Sequence, residues 1–215
     1  KAGAEVQAGG VAQDLHALGE GLPQGAHQDL PLGPMHALQA LHAAGEVALA
    51  DEAGQGVLVT IDALRSDVLT EHAEVAPRLG ALSREAVVFE NARSNGSSTV
   101  VSLSALFSGR LYSQLRWQEH PELPQLFPHE DPSHGFAHYL DEAGITTASV
   151  AGITYLEGRF GVTRGVRHHV RVDHDVANQK GEFAAAPPVV EAVLKTAILH
   201  RETPLFVYAH LMEPH

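Results

Sequence analysis

The sequence predicts an α/β fold, a mostly parallel sheet with helices on both faces, and three observations carry that expectation. Short β-branched or apolar runs stand at residues 57–61, 145–151 and 205–209, each of a length suited to a strand buried on both faces. Between them lie stretches with apolar residues at helical spacing, opened by proline or closed by glycine. Strand and helix follow one another in order, which implies crossover connections and parallel pairing.

The chain has 215 residues, 44% of them hydrophobic, with 20 glycines and 12 prolines. That is the size and composition of one α/β domain with a real core. The absence of cysteine excludes disulfides, thiolate metal sites, iron–sulfur ligation and a cysteine nucleophile. Fourteen Lys and Arg against 26 Asp and Glu leave a net charge of −12, so no nucleic-acid partner is expected, because such affinity rests on neutralising phosphates. No apolar run approaches the roughly 18 residues of a membrane span. The chain begins at Lys1 without a signal-peptide core and stops at Met212-Glu213-Pro214-His215, and it reads as a piece of a longer protein.

Residues 1–56 differ in kind from the remainder. They contain no Phe, Trp, Tyr or Ile, and Lys1 is their only Lys or Arg. Thirteen alanines and ten glycines bury little apolar area per residue, so ordering them is poorly compensated. The segment is expected to be a weakly ordered leader or tether. One stretch within it is helix-capable: Pro34 at a first-turn position, then Met35, Leu38, Leu41 and Ala44 at helical spacing, up to Ala50.

Residues 57–215 carry the α/β pattern. Residues 57–61 are expected to form a buried strand, and residues 77–86 a helix with Leu79, Leu82 and Ala86 on one face. Residues 87–89, Val-Val-Phe, read as a second strand, and 100–108 as a helix that Gly109 ends. Asp131-Pro132 opens a helix reaching Ala143 and closed by Gly144, after which 145–151 is a strand. Residues 188–200 align Val189, Val193, Ala197 and His200 on a helix, and 205–209 is the last strand. In such sheets the working residues sit past the carboxyl ends of strands, which points to Asp62, the loop after Phe89, and His210.

Three features there have the chemistry of a site. Asp62 directly follows the first strand, with Asp67 five residues on; a carboxylate so held suits a hard metal ion, or caps the next helix. The hydroxyl-rich run Ser94-Asn-Gly-Ser-Ser-Thr99 delivers Thr99 to the first turn of an apolar helix. Free backbone N–H groups there favour an alkoxide or a bound anion, and Ser or Thr also serves as an ordinary cap. Finally, His210, Glu213 and His215 follow the last strand, where histidine can bind an anion, move a proton or ligate a metal. Weaker clusters are His134 and His138, one helical turn apart, and the polar stretch His168, His169, Asp173, His174 and Asp175, expected to be an exposed loop. Gly161-Val-Thr-Arg-Gly165 lacks the spacing of a phosphate loop, which disfavours an open α/β nucleotide binder.

Set in order, these pieces resemble the N-terminal half of a sulfatase-like enzyme of the alkaline phosphatase superfamily. The likeness covers about residues 57–215. It is carried by Val57-Leu-Val-Thr-Ile-Asp62-Ala-Leu-Arg-Ser-Asp67, by the Pro77, Leu79, Leu82 stretch running to Ala92, and by Thr99 to Gly109-Arg110. Residues 143–148, Arg159 to Gly165, and Pro204 to His215 with its final Glu-Pro-His continue it.

The resemblance implies a metal-dependent hydrolase or transferase acting on sulfuric or phosphoric esters. It makes Asp62 a ligand of a divalent ion (Ca, Mg, Zn or Mn) and Thr99 both the attacking residue and a metal contact. It also makes His215 and His210 contacts of the anionic group or of the leaving oxygen. The family's remaining ligands lie downstream of this chain, so the piece is expected to hold an incomplete metal site and to be inactive alone. The arylsulfatase signature places Cys or Ser, then Pro, then Arg where Thr99, Val101 and Leu103 stand. Thr99 cannot become formylglycine, and these departures bring the chain closer to the phosphoethanolamine and phosphoglycerol transferases, which use a threonine nucleophile. A non-catalytic sulfatase-like domain is the alternative.

Overall fold

The computed structural model describes residues 47–50, 54–67, 71–72, 74–173 and 183–212. Seven strands and four α-helices are found among them: β1 (Val47–Ala50), β2 (Gln55–Ile61), α1 (Pro77–Ser83), α2 (Thr99–Ser108), β3 (Gln118–His120), β4 (Leu123–Phe127), α3 (Phe136–Glu142), β5 (Thr146–Ala151), β6 (His168–Arg171), α4 (Ala186–Leu199) and β7 (Leu205–Leu211). The main sheet has the order β1-β2-β7-β5-β6. Strands β2, β7, β5 and β6 are mutually parallel, and β1 closes one edge antiparallel to β2. The expected mostly parallel α/β architecture is present.

The most continuously apolar strand occupies the middle. Residues 205–210 of β7 are all buried, as a strand flanked on both sides and covered on both faces must be. Alternation along it sorts the two layers. Phe206 and Tyr208 join Leu58, Val100, Leu103, Leu106, Phe107 and Phe136 in one cluster, where Phe107 meets Tyr208 edge-on and stacks on Phe136. Leu205 and Val207 face the other way, against Val189 of α4 with Ala148 and Val150 of β5. Helix α2 therefore lies on the face that carries Leu58 and Tyr208, and α4 covers the opposite one.

Helix α2 is bounded as its sequence requires. Ser98 at the N-cap accepts from the Val101 amide at 3.5 Å, and Gly109 ends the helix in the left-handed region at φ 65°, a conformation that costs glycine nothing. Opposite its C-terminal end, a Cβ on Gly135 would stand 2.2 Å from the Phe107 carbonyl oxygen, so only glycine lets α3 approach α2 this closely.

Several expected elements differ. Val87, Val88 and Phe89 form no strand; they lie in a loop and are 71%, 57% and 50% exposed. Three apolar residues do not make a strand without an edge to pair with. Helix α1 ends at Ser83 and buries no residue completely, short of the expected Ala86. Of the helix expected from Pro34 to Ala50, residues 34–46 lie outside the described residues, and Val47–Ala50 form β1, where pairing with the rim of the sheet overrides a weak helical pattern. His168 and His169 lie in β6 and not in a loop. The β3–β4 hairpin was not anticipated, because Pro121 and Pro124 interrupt the pattern.

The helix expected from Asp131 begins only at Phe136, because Asp131 is committed elsewhere. Its carboxylate accepts from the Arg116 and Ser133 amides and from the Ser133 hydroxyl, and pairs with Arg164 Nη1 at 2.9 Å. The two side chains are 4% and 6% exposed. Arg164 also donates to the carbonyls of Pro128, Asp131 and Ser133. The residues of the Gly161 to Gly165 turn thus serve packing, with Val162 and Thr163 buried. Burial alone would raise the Asp131 pKa, but the Ser133 hydroxyl, the two amides and the Arg164 charge outweigh it and hold it at about 2.

Arg164→Met leaves that carboxylate buried and unpaired, and should destabilise the fold by roughly 3–5 kcal/mol. Arg167→Met, which breaks the exposed pair with Asp141, should cost under about 1 kcal/mol. Urea midpoints of both variants check the contrast. The folded pKa of Asp131 lies below its ordinary 3.8, so its contribution is present above that value and is lost as pH falls toward 2. Asp131→Asn should show a smaller loss of stability over that interval than the parent.

Candidate active site

The register of β2 against β7 builds the first half of the site. Leu58 pairs with Tyr208 and Thr60 with His210; the ladder continues one step further, with the Asp62 amide donating to the Leu211 carbonyl at 2.8 Å. Leu58, Thr60 and Asp62 therefore occupy alternate positions on the face that α2 covers. Directly after Asp62 the chain turns at Ala63, whose φ of 55° makes it the one non-glycine residue with positive φ among the described residues. That conformation costs an alanine roughly 1–2 kcal/mol, and the Ala63 amide is thereby given to the Asp62 carboxylate.

Helix α2 supplies the second half. Thr99 is its first residue, and Thr99 Oγ1 donates to Asp62 Oδ2 at 2.6 Å across 37 positions of sequence. The loop before the helix is tied down by hydroxyls. Ser102 Oγ and Ser94 Oγ each donate to the Gly96 carbonyl at 2.9 Å, and the two hydroxyls lie 2.6 Å apart. Gly96 sits so close to Val101 that an added Cβ would come within 2.5 Å of its methyl group. The hydroxyl that meets the carboxylate is that of Thr99, while Ser98 caps the helix with its own.

His210 completes the contact. It is 2% exposed, and its Nε2 faces Asp62 Oδ2 at 3.5 Å, too long for a strong hydrogen bond. On the far side of the ring, Nδ1 lies 2.6 Å from Thr60 Oγ1 and 3.2 Å from the Tyr208 hydroxyl, which are themselves 2.9 Å apart. The His210 imidazole foremost, then the Thr99 hydroxyl and the Ala63 amide, lower the Asp62 pKa to about 2 against the opposing effect of burial. Asp62 is ionised at any physiological pH.

Three of the four expected residues, Asp62, Thr99 and His210, thus converge at the carboxyl edge of the sheet; His215 lies outside the described residues. The weaker candidates fall away from this centre. Asp67 is held by Arg65. His134 and His138 do not converge as ligands: their rings stack face to face at 4.7 Å, and His138 Nδ1 accepts from the Gly135 amide at the start of α3. Leu103 is buried in the core beneath α2. Thr60 and Tyr208 were missed, since each reads as one more residue of an apolar strand; the parallel register brings Thr60 to His210, and strand alternation puts Tyr208 on the same face.

The Sulfatase family profile matches residues 55–215. The chain belongs to the sulfatase family. Among curated proteins and solved structures no match is found. Domains of this family generally use a divalent metal ion and act on esters. The donor chemistry here fits a hard divalent ion: a carboxylate and a hydroxyl whose oxygens converge, one of them ionised. Among the described residues no group of three or more His, Asp or Glu stands together, so Asp62 and Thr99 could supply only part of the six or more oxygens that calcium or magnesium takes. No helix among the described residues is long and apolar enough to cross a membrane.

The strained Ala63 turn gives a test of how the carboxylate is aimed. Ala63→Val puts a β-branched residue at positive φ and should destabilise the fold by about 1–2 kcal/mol. Ala63→Gly should leave stability unchanged or slightly raised, because glycine adopts this conformation freely. Denaturant melts of the two variants check the order; equal losses in both would show that the turn stores no strain.

Proposed function

We propose that this sulfatase-family chain carries the nucleophilic half of a site for sulfuric or phosphoric esters, with Thr99 as nucleophile. The observation that carries this is the 2.6 Å hydrogen bond from Thr99 Oγ1 to Asp62 Oδ2 at the start of α2. A divalent ion, held in part by Asp62 and Thr99, would supply Lewis-acid stabilisation of charge on the ester oxygens when bound.

The chain's own groups do the rest. The first turn of α2 presents amides and the positive end of a helix dipole to the Thr99 oxygen, which favours its alkoxide. Asp62, with a pKa of about 2, is too weak a base to hold the threonine proton; it orients the hydroxyl and contributes negative charge to the cation site. Thr99 Oγ1 loses its proton to solvent water and forms the new bond to sulfur or phosphorus as the ester bond breaks, its electron pair leaving on the ester oxygen. His210 or His215 contacts the anionic group or gives that oxygen a proton. Attack by water on the covalent intermediate makes the protein a hydrolase, and attack by an acceptor hydroxyl makes it a transferase. Leu103 supports a threonine route over the formylglycine route, since a buried leucine occupies the position of the arylsulfatase arginine.

Thr99→Ala should abolish turnover of phosphate and sulfate esters, whereas Thr99→Ser, which keeps the oxygen, should retain a substantial part. A trapped covalent intermediate should map to Thr99 by mass spectrometry. A label on Ser97 or Ser98 with Thr99→Ala still active would move the nucleophile, and full activity in all three alanine variants would remove the covalent route.

A further inference from the structure

We propose that Ser94 and Ser102 are positioning residues for Thr99: sharing the Gly96 carbonyl, they hold the backbone that enters α2 and so keep the Thr99 hydroxyl aimed at Asp62. The inference deepens the proposed function, on which its catalytic consequence alone rests. The approach to the helix gains little from apolar burial, since residues 84–95 are all exposed. Within α2, Val100 and Leu103 are buried and seat the helix on the core. Thr99 precedes both, at the junction of helix and loop, so the loop decides how its peptide enters.

The hold is a closed ring of hydrogen bonds. Ser94 Oγ and Ser102 Oγ each lie 2.9 Å from the Gly96 carbonyl oxygen and 2.6 Å from one another, and the Gly96 amide donates to Ser94 Oγ at 3.4 Å. The two hydroxyls have one proton each to give. When Ser94 donates to Ser102, Ser102 donates to the carbonyl; with the roles exchanged, Ser94 does. Either way one proton rests on the Gly96 oxygen. Ser102 is the member that brackets the nucleophile. It stands three residues past Thr99, and its own amide donates to the Ser98 carbonyl at 2.9 Å, so its backbone and its side chain each reach back across Thr99 to the loop. Gly96 adds an independent constraint: a Cβ there would stand 2.5 Å from a Val101 methyl, and a β-branched side chain has little freedom to turn away. Loop and first turn are thus clamped on a polar and on an apolar side. The hydroxyl that reaches Asp62 Oδ2 at 2.6 Å is oriented before any ester arrives, which removes an ordering cost from the reaction.

Amide hydrogen exchange by NMR on the full chain, with chelator and without substrate, reads the clamp. Ser102→Ala and Gly96→Ala should each speed exchange of the Val101 and Ser102 amides about 2- to 10-fold, the net worth of one hydrogen bond, while Leu106 and Phe107 further along the helix exchange as in wild type. Ser94→Ala should do so less, because Ser102 still reaches the carbonyl, and Ser102→Thr, which keeps the hydroxyl, should match wild type. In ester turnover Ser102→Ala and Gly96→Ala should lower kcat about 10- to 100-fold with KM little changed, and Ser102→Thr should restore it. Wild-type exchange in both Ser102→Ala and Gly96→Ala, or exchange in Ser102→Thr as fast as in the alanine variant, would overturn the proposal. So would an unchanged kcat in an active variant whose clamp has opened. An inactive wild type with the expected exchange pattern upholds the clamp and counts against the proposed function.

Discussion

Seven consecutive parallel pairings join β2 to β7, from Gln55 opposite Leu205 to Ile61 opposite Leu211. That register decides where every polar group of the site stands. A slip of one residue would turn Thr60 and Asp62 to the α4 side and carry His210 out of reach, because side chains alternate with a period of two. The slip is resisted by burial: Leu58 and Tyr208 must both face the aromatic cluster beneath α2, and Val207 must face α4. Hydrophobic packing thereby sets the geometry of a charged site a few residues further along the same strands.

The carboxylates of Asp131 and Asp62 show how differently one functional group can be used. Asp131 has its hydrogen-bonding capacity filled by two amides, a hydroxyl and an arginine, and it anchors the turn at Gly161 to Gly165 to the segment before α3. Asp62 is held at a similarly low pKa, about 2, yet with lighter support: one hydroxyl, one amide and an imidazole 3.5 Å away. An ionised oxygen with coordination capacity to spare is what a cation site requires. The left-handed Ala63 beside it fits the tendency of backbone strain to gather where geometry serves chemistry.

Much of this was legible in the sequence. The strands at 57–61, 145–151 and 205–209 were visible because buried parallel strands need continuous apolar runs, and Asp62 and Thr99 because one follows a strand and the other opens a helix. Val87 to Phe89 misled because local apolarity says nothing of whether a partner edge exists. Asp131 misled because its carboxylate serves long-range partners, Arg116 and Arg164, instead of the helix that Pro132 suggested. Thr60 and Tyr208 could not be read at all. Thr60 lies 150 positions from His210 and reaches it only through strand register, which no local pattern encodes; Tyr208, two positions away on the same strand, matters only once Thr60 is beside both.

The central claim is that the Thr99 hydroxyl, aimed by Asp62, is the atom that meets the tetrahedral centre of an ester. A crystal structure of the protein soaked with orthovanadate and a divalent metal tests it most directly, since vanadate adopts the geometry of the transferring group. The account predicts vanadium bonded to Thr99 Oγ1, with Asp62 and His210 facing its oxygens. Vanadate bound to Ser97 or Ser98, or seated away from the carboxyl edge of the sheet, would contradict it.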